Sequence, residues 1–469
     1  MTATAAASST AGHDAATVLR RQIQGAVLTP GDAQYDTARR VFNHMIDRRP
    51  ALIVQPASID DVRRSVLVAR ERGLPLSVRG GGHNIAGSAV CSDGLMLDFA
   101  GWQGVTVDAA HRRAVAQPGV LLAGLDAATQ AHGLATPLGT VSMTGIAGLT
   151  LGGGIGWLHG TLGLTCDNLL AAEVITADGE FVQESAIEHP DLFWALRGGS
   201  GNFGVVTSFT YVLHPVGKVL AGVLVYAPHQ TADALRAYDE FSAYCPDELT
   251  MMSSLCTDED GQTCFAVSWC WSGVPELAER ALTPLRRACP VAVDEAELLD
   301  YCALQHIIDD RFPAGRQHYW KSTFLTHLSA DAIATLLRFA ATRPGPAPLS
   351  GVTRSRSSIT LQHVHGAAAR IDPEATAFAH RHTHHDFLLL SQWSDADEAE
   401  AHITWTREFF AAMRPFTERA VYVNDLGADD GDRVREAYGV NYPRLARIKA
   451  RYDPENLFRA NQNIVPSGE

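Results

Sequence analysis

The chain has no Cys-x-x-Cys pair. Its eight cysteines, Cys91, Cys166, Cys245, Cys256, Cys264, Cys270, Cys289 and Cys302, are scattered, which argues against a zinc knuckle or a dithiol redox motif and fits reduced thiols in a cytoplasmic protein. Basic residues are in the minority, 38 Lys and Arg against 52 Asp and Glu for a net charge of -14. That balance opposes nucleic acid and anionic membranes as partners. No apolar run approaches the ~20 residues of a membrane helix. The opening stretch MTATAAASSTAGHDAATVLRR has neither the basic start nor the apolar run of a secretory signal and predicts a disordered leader. Internal repeats, low-complexity tracts and long charge blocks are missing as well. What is present is 469 residues, 46% of them hydrophobic, enough for two or three domains acting on a small molecule.

Glycine carries the pattern. A β-prone segment, Leu76-Ser77-Val78, runs through Arg79 into Gly80-Gly81-Gly82 and then His83-Asn84. Three bare glycines tolerate positive φ and expose backbone N–H groups, so this loop reads as an anion cradle with a histidine at its lip. Before it, the strand 51–56 and the helix 58–72, opened by Ser58-Ile-Asp-Asp, complete a βαβ-like unit. Helices are also expected over 18–26 and 38–46. Segments 95–99, 105–108 and 113–119 read as strands of a second small sheet. A second glycine region spans Gly139-Thr140-Val141 through Gly145, Gly148 and Gly152-Gly153-Gly154-Ile155-Gly156, too apolar for a linker. It implies close approach of the backbone to something large and flat. The formal fingerprint Gly199-x-Gly201-x-x-Gly204 is followed by an alternating strand, 205–213, where a dinucleotide fold needs a helix. From about 218 to 420 the glycine clusters vanish and strands alternate with helices, the pattern of an α+β domain on an antiparallel sheet.

RGGGHN at 79–84, the Gly145 and GGGIG cluster, GLTCDNL, LFWALRGGSGNFGVVT and the terminal NYPRLARIKARYDPENLFRANQNIVP together resemble the berberine bridge enzyme-like family of FAD-linked oxidases, in its bacterial branch. The resemblance implies the α+β fold of vanillyl-alcohol oxidase and PCMH-type flavoproteins. Its expected map is an N-terminal leader with helices over 1–46, a PCMH-type FAD-binding domain of two subdomains over 47–217, a substrate domain over 218–420, and a C-terminal segment over 421–469 that returns to the FAD domain. His83 is implied as the covalent attachment point of the flavin, which requires a neutral imidazole. Around it, Val78, Arg79, Gly80, Gly81, Gly82, Asn84, Gly87 and Ser88 are implied to bind FAD. Further contacts are implied at Pro118, Gly119, Gly139, Thr140, Thr144, Gly145, Gly148, Leu149, Gly153, Gly154 and Gly156, then at Asn168, Val174, Asn461 and Asn463. Many members add a second link from a cysteine just before the Gly145 cluster. Val141 stands near there in this chain and cannot form a thioether, while Cys166 reads as a packed thiol.

Flavin chemistry leaves the protein to position the substrate and to move a proton. In Leu361-Gln-His363-Val-His365, period two puts Leu361, His363 and His365 on one face. His363 matches the family's polar position and is a candidate base, with His365 beside the substrate. In Tyr422-Val-Asn424-Asp425, the family's tyrosine base is replaced by Asn424 or Asp425, and Tyr438 is a further catalytic candidate with Tyr422 near the substrate. His380-Arg-His382-Thr-His384-His385 could place His380 and His384 on one helical face, but it lacks a matching carboxylate or cysteine, so no metal is expected. The expected activity is oxidation of a small alcohol, amine or phenolic metabolite, with O2 as acceptor, by a cytoplasmic monomer or homodimer. The alternatives are a flavin dehydrogenase with another acceptor and a non-catalytic flavin-containing binding protein.

Overall fold

The computed structural model describes residues 2–258, 261–344 and 357–468. The fold is α+β, built on three main sheets. The first has four strands in the order Ala26–Leu28, Leu52–Gln55, Leu95–Asp98, Leu76–Arg79, parallel except for the first pair. The segment expected in the second sheet, Leu95–Asp98, belongs here instead. All four of its residues are buried, as in a strand covered on both faces, whereas Val105–Asp108 alternates and joins the second sheet. The helix Ile59–Glu71 makes the crossover. Ser58 caps it by accepting the Asp61 N–H at 3.2 Å.

Thr2–Gln22 is helical, contrary to the expected leader. Alanine favours helix, and Ala15, Ala16 and Leu19 bury themselves in one core with Val62, Val66 and Ala69 of the crossover helix. The helix expected over 38–46 shrinks to Tyr35–Ala38. The residues after it spend their hydrogen bonds elsewhere: Phe42 N–H donates to Gly82 O at 3.0 Å and His44 N–H to Arg316 O at 2.9 Å.

Five antiparallel strands form the second sheet, Val105–Asp108, Arg113–Ala116, Val205–Val212, Leu169–Ile175 and Phe181–Ser185. Residues after the Gly199–Gly204 fingerprint therefore form a strand, and the hairpin at 175–181 turns at Gly179, φ +81°.

The third sheet has seven antiparallel strands in the order Val291–Leu299, Val219–Tyr226, Thr263–Trp271, Leu249–Thr257, Ser358–Val364, His384–Trp393, Gln317–Leu325. Helices Thr231–Ser242, Pro275–Ala288, Ala330–Ala340 and Ala399–Met413 cover one face. Met251, Phe265, Leu361 and Phe387 share a core with Leu235, Leu282, Leu336 and Phe409 of those helices. The opposite face looks towards the glycine loops.

The C-terminal helix Tyr442–Tyr452 returns to the first half of the chain. Its fully buried Lys449 donates from Nζ to the Asp453 carboxylate at 2.6 Å, to Asn202 O at 2.7 Å and to Phe458 O at 2.9 Å. No described helix is long and apolar enough to cross a membrane. Truncating one partner of a buried ion pair strands the other charge, at a cost of about 3–5 kcal/mol. Lys449→Ala is therefore expected to lower stability by that amount in chemical denaturation, against a much smaller loss for the exposed Arg451→Ala.

Candidate active site

One cavity of about 1370 Å³ lies between the glycine loops and the open face of the seven-stranded sheet. Its first wall is backbone against backbone. A Cβ on Gly81 would lie 2.5 Å from Gly145 Cα, and one on Gly80 would lie 2.7 Å from Pro118 O, so only glycine lets these loops meet. Gly148 has open space where a Cβ would stand and also lines the cavity. The surface so formed is bare peptide, suited to a large flat group and its phosphates.

His83 stands at the edge of this surface. Its ring stacks on Phe42 at 3.9 Å and 18°, and Phe42 stacks in turn on His318 at 4.4 Å. Nε2 of His83 is buried without a hydrogen-bond partner. Burial pushes the imidazole down to about 4, so it is neutral at neutral pH.

Opposite lie two carboxyl groups. Asp425 comes from the loop after Val421, Asp386 from strand His384–Trp393, and both line the cavity. They are hydrogen-bonded to each other, and Ser322 Oγ donates to Asp386 at 2.8 Å. Burial raises both, Asp386 to about 6, and Asp425 is raised further by the neighbouring Asp386 charge. Two carboxyls in contact and out of water share a proton near neutrality. The loop is tied to the glycine region: Tyr422 OH accepts from Gly154 N–H at 2.8 Å and from Asn424 Nδ2 at 2.7 Å.

Of the residues expected around the cofactor, Val78, Gly80, Gly81, Gly82, His83, Asn84, Ser88, Pro118, Gly139, Thr140, Thr144, Gly145, Gly148, Leu149 and Asn461 line the cavity, as do Tyr422, Asn424 and Asp425. Others do not. Arg79 turns away to pair with Asp98 at 2.6 Å. Gly87 makes a turn, φ +71°, and Gly119 packs beneath Phe99 and Trp102. Gly153, Gly154 and Gly156 back the wall against Phe378, Thr165 and Leu138. Asn168 donates to Leu162 O and Leu164 O, and Val174 is core. Asn463 lies outside the lining. Tyr438 bonds to Gly199 O and Gln462 O as a structural post, not as a catalytic group. Cys166 is fully buried beside Asp167 and Arg381, away from the cavity.

His363 and His365 need a larger correction. They do share a face with Leu361, but it is the face under the helices, so Thr360 and Gln362 reach the cavity in their place. His363 stacks on His365 at 4.4 Å with neither ring nitrogen hydrogen-bonded. With Cys245 these two offer donor atoms all within 4.8 Å of one another, the set among the described residues that could hold a metal. Residues 380–383 are not helical, so His380 and His384 share no helical face. Asp386 lies outside the residues expected from the sequence, although a lone acid inside HHDFLLLSQW is a signal that one side of that strand is not apolar.

Comparison with known proteins places the geometry. A family model described as "FAD binding domain" matches residues 50–185, and one described as "Berberine and berberine like" matches 421–465. (R)-6-hydroxynicotine oxidase of Paenarthrobacter nicotinovorans is 32% identical over 460 residues, 95% of this chain and 98% of that protein. An FAD-linked oxidoreductase of Dictyostelium discoideum is 31% identical over 451 residues, 95% of each. The crystal structure of 6-hydroxy-D-nicotine oxidase from Arthrobacter nicotinovorans is similar at a TM-score of 0.87 and 30% identity, covering 95% of this chain and 98% of that one.

Gly81→Ala is expected to push the two loops apart and to lower the FAD content of purified protein severalfold, read as visible absorbance per protein. Gly101→Ala, with nothing within 4 Å of the added methyl, should leave it unchanged.

Proposed function

The chain belongs to the berberine bridge enzyme-like FAD-linked oxidoreductases, and from that premise we propose an oxidase that holds FAD through His83 alone and oxidises a small, flat amine, alcohol or phenol. The observation that carries this reading is the carboxyl pair Asp386–Asp425 facing the glycine cradle across one cavity. The bare backbone at Gly80–Gly82, Gly145 and Gly148 and the orphaned Nε2 of His83 suit the cofactor. When bound, FAD supplies a hydride acceptor that O2 reoxidises, releasing hydrogen peroxide.

The protein's part is positioning and proton transfer. The pair, carrying one proton between two carboxyls, presents one carboxylate that takes the proton from a substrate O–H or N–H as the adjacent C–H gives up hydride. Ser322 holds Asp386 in place. Asn424 and Tyr422 fix the height of Asp425 over the glycine region through their bonds to each other and to Gly154 N–H. Met252, Phe312, Trp320, Leu388 and Leu390 line the same cavity. Such a lining excludes water and favours an aromatic or heteroaromatic ring over a sugar. The monoanionic pair also favours an amine, and (R)-6-hydroxynicotine, named for the 32% identical relative, is the first compound to try.

His83 is the single covalent anchor on this reading, since Val141 has no thiol and Cys166 is sealed in the core. After acid precipitation the wild-type and Cys166→Ala pellets are expected to stay yellow and the His83→Ala pellet to be colourless. A wild-type flavin that washes into the supernatant overturns the link.

The carboxyl pair sets the pH dependence. A raised folded-state pKa means that the pair is fully protonated, and idle, at low pH. kcat/KM is expected to rise with pH through about 6, and Asp386→Asn, which takes away the carboxyl whose shared proton stabilises the first charge and leaves Asp425 raised by burial, moves that rise to higher pH. Asp425→Asn should lower kcat by about 10²- to 10⁴-fold, the usual worth of a positioned base. A flat wild-type profile between about pH 5 and 7 would exclude the pair as the base.

A further inference from the structure

We propose that Cys256 and Cys264 form a peroxide-responsive thiol pair that closes into a disulfide on the cavity wall. They stand directly opposite each other in the register of strands Leu249–Thr257 and Thr263–Trp271. Their sulfurs are 2.8 Å apart, so a movement of under about 1 Å separates them from the bonded distance of ~2.05 Å. Directly paired residues on antiparallel strands bring their Cβ atoms to about 4.5–5.5 Å, close to what a disulfide spans. Both residues line the cavity, and Cys256 is only half-buried, so an oxidant reaches it from inside. The bond would link neighbours that the ladder already holds side by side.

The surroundings divide the roles. The hydrogen bond with Cys264, together with the charge of Arg343, holds Cys256 below the usual thiol range against the opposing effect of burial. Cys264 is pushed the other way by the same hydrogen bond. Arg343 is itself fixed in place, donating from Nη2 to Leu255 O at 2.8 Å. By contrast, burial pushes Cys166, Cys245 and Cys270 well up, leaving them inert. Cys256, half-buried and reached from the cavity, is thus the attacking thiolate, and the buried Cys264 is the resolving thiol.

The chemistry balances with hydrogen peroxide as the oxidant. The Cys256 thiolate attacks one peroxide oxygen, the O–O bond breaks, hydroxide leaves and a sulfenic acid forms. The Cys264 sulfur then attacks the Cys256 sulfur, the S–S bond forms and water leaves. Two thiols are oxidised and one peroxide is reduced to two waters. The oxidase reading would make peroxide in this same cavity, but the proposal is tested with peroxide added from outside, so its failure leaves that reading standing.

The experiment treats the reduced holoenzyme with hydrogen peroxide in the absence of substrate, then denatures it, alkylates free thiols and maps the peptides by mass spectrometry. The expected result is a cross-linked peptide joining Cys256 to Cys264, with two of the eight cysteines lost to alkylation and recovered by dithiothreitol. In Cys264→Ser, Cys256 should stop at a sulfenic acid that dimedone traps. Cross-linking of either residue to a different cysteine, overoxidation of Cys256 without a cross-link, or eight alkylatable thiols after treatment overturns the proposal. The wild-type map decides the matter even where the variant fails to fold.

Discussion

The contact on which the rest depends is between two pieces of backbone, Gly80–Gly82 and Gly145. Neither loop can approach the other with a Cβ in the way, so the absence of side chains is what brings the four-stranded and five-stranded sheets to one surface. Everything the cavity presents to a ligand on that side follows from it: peptide groups without cover, Gly148 open above them, and His83 at the rim. The C-terminal helix then locks the arrangement from outside through Lys449, whose buried partners are Asn202 of the Gly199–Gly204 segment and Asp453 and Phe458 of its own C-terminal region.

Burial acts on the two sides of the cavity in opposite chemical senses with the same physical cause. Removing water disfavours charge, so His83 is kept neutral and the Asp386–Asp425 pair is kept partly protonated. An uncharged imidazole is a nucleophile, and a carboxyl pair with one proton has a carboxylate to accept with. Neither state needs an ion pair to hold it. Phe42 is the shared mediator on the histidine side, stacking on His83 and on His318 and so carrying the FAD-side loop onto the strand Gln317–Leu325.

The seven-stranded sheet separates structure from chemistry by parity alone. On strands Leu249–Thr257, Thr263–Trp271, Ser358–Val364 and His384–Trp393, residues on one face join the helical core and their neighbours face the cavity. Gln362, Asp386 and the Cys256–Cys264 pair belong to the second set, while His363 and Leu361 belong to the first. A polar residue on the cavity face meets a ligand, and the same residue one step along meets packed helices.

The sequence by itself determined the glycine loops, the βαβ unit, the strand after Gly204, the antiparallel second half and the family, because glycine runs and apolar periodicity are local signals. It also carried His83 and Asp425, through motifs whose neighbours in the chain are their neighbours in space. Tertiary structure alone decided which face of Ser358–Val364 looks at the cavity, since period two puts Leu361, His363 and His365 together without saying on which side. It decided that Leu95–Asp98 joins the first sheet, that Thr2–Gln22 is helical against the crossover helix, and that Asp386 sits beside Asp425 across 39 residues of chain. Those outcomes depend on which surface packs against which, and burial between distant segments leaves no local mark in the order of residues.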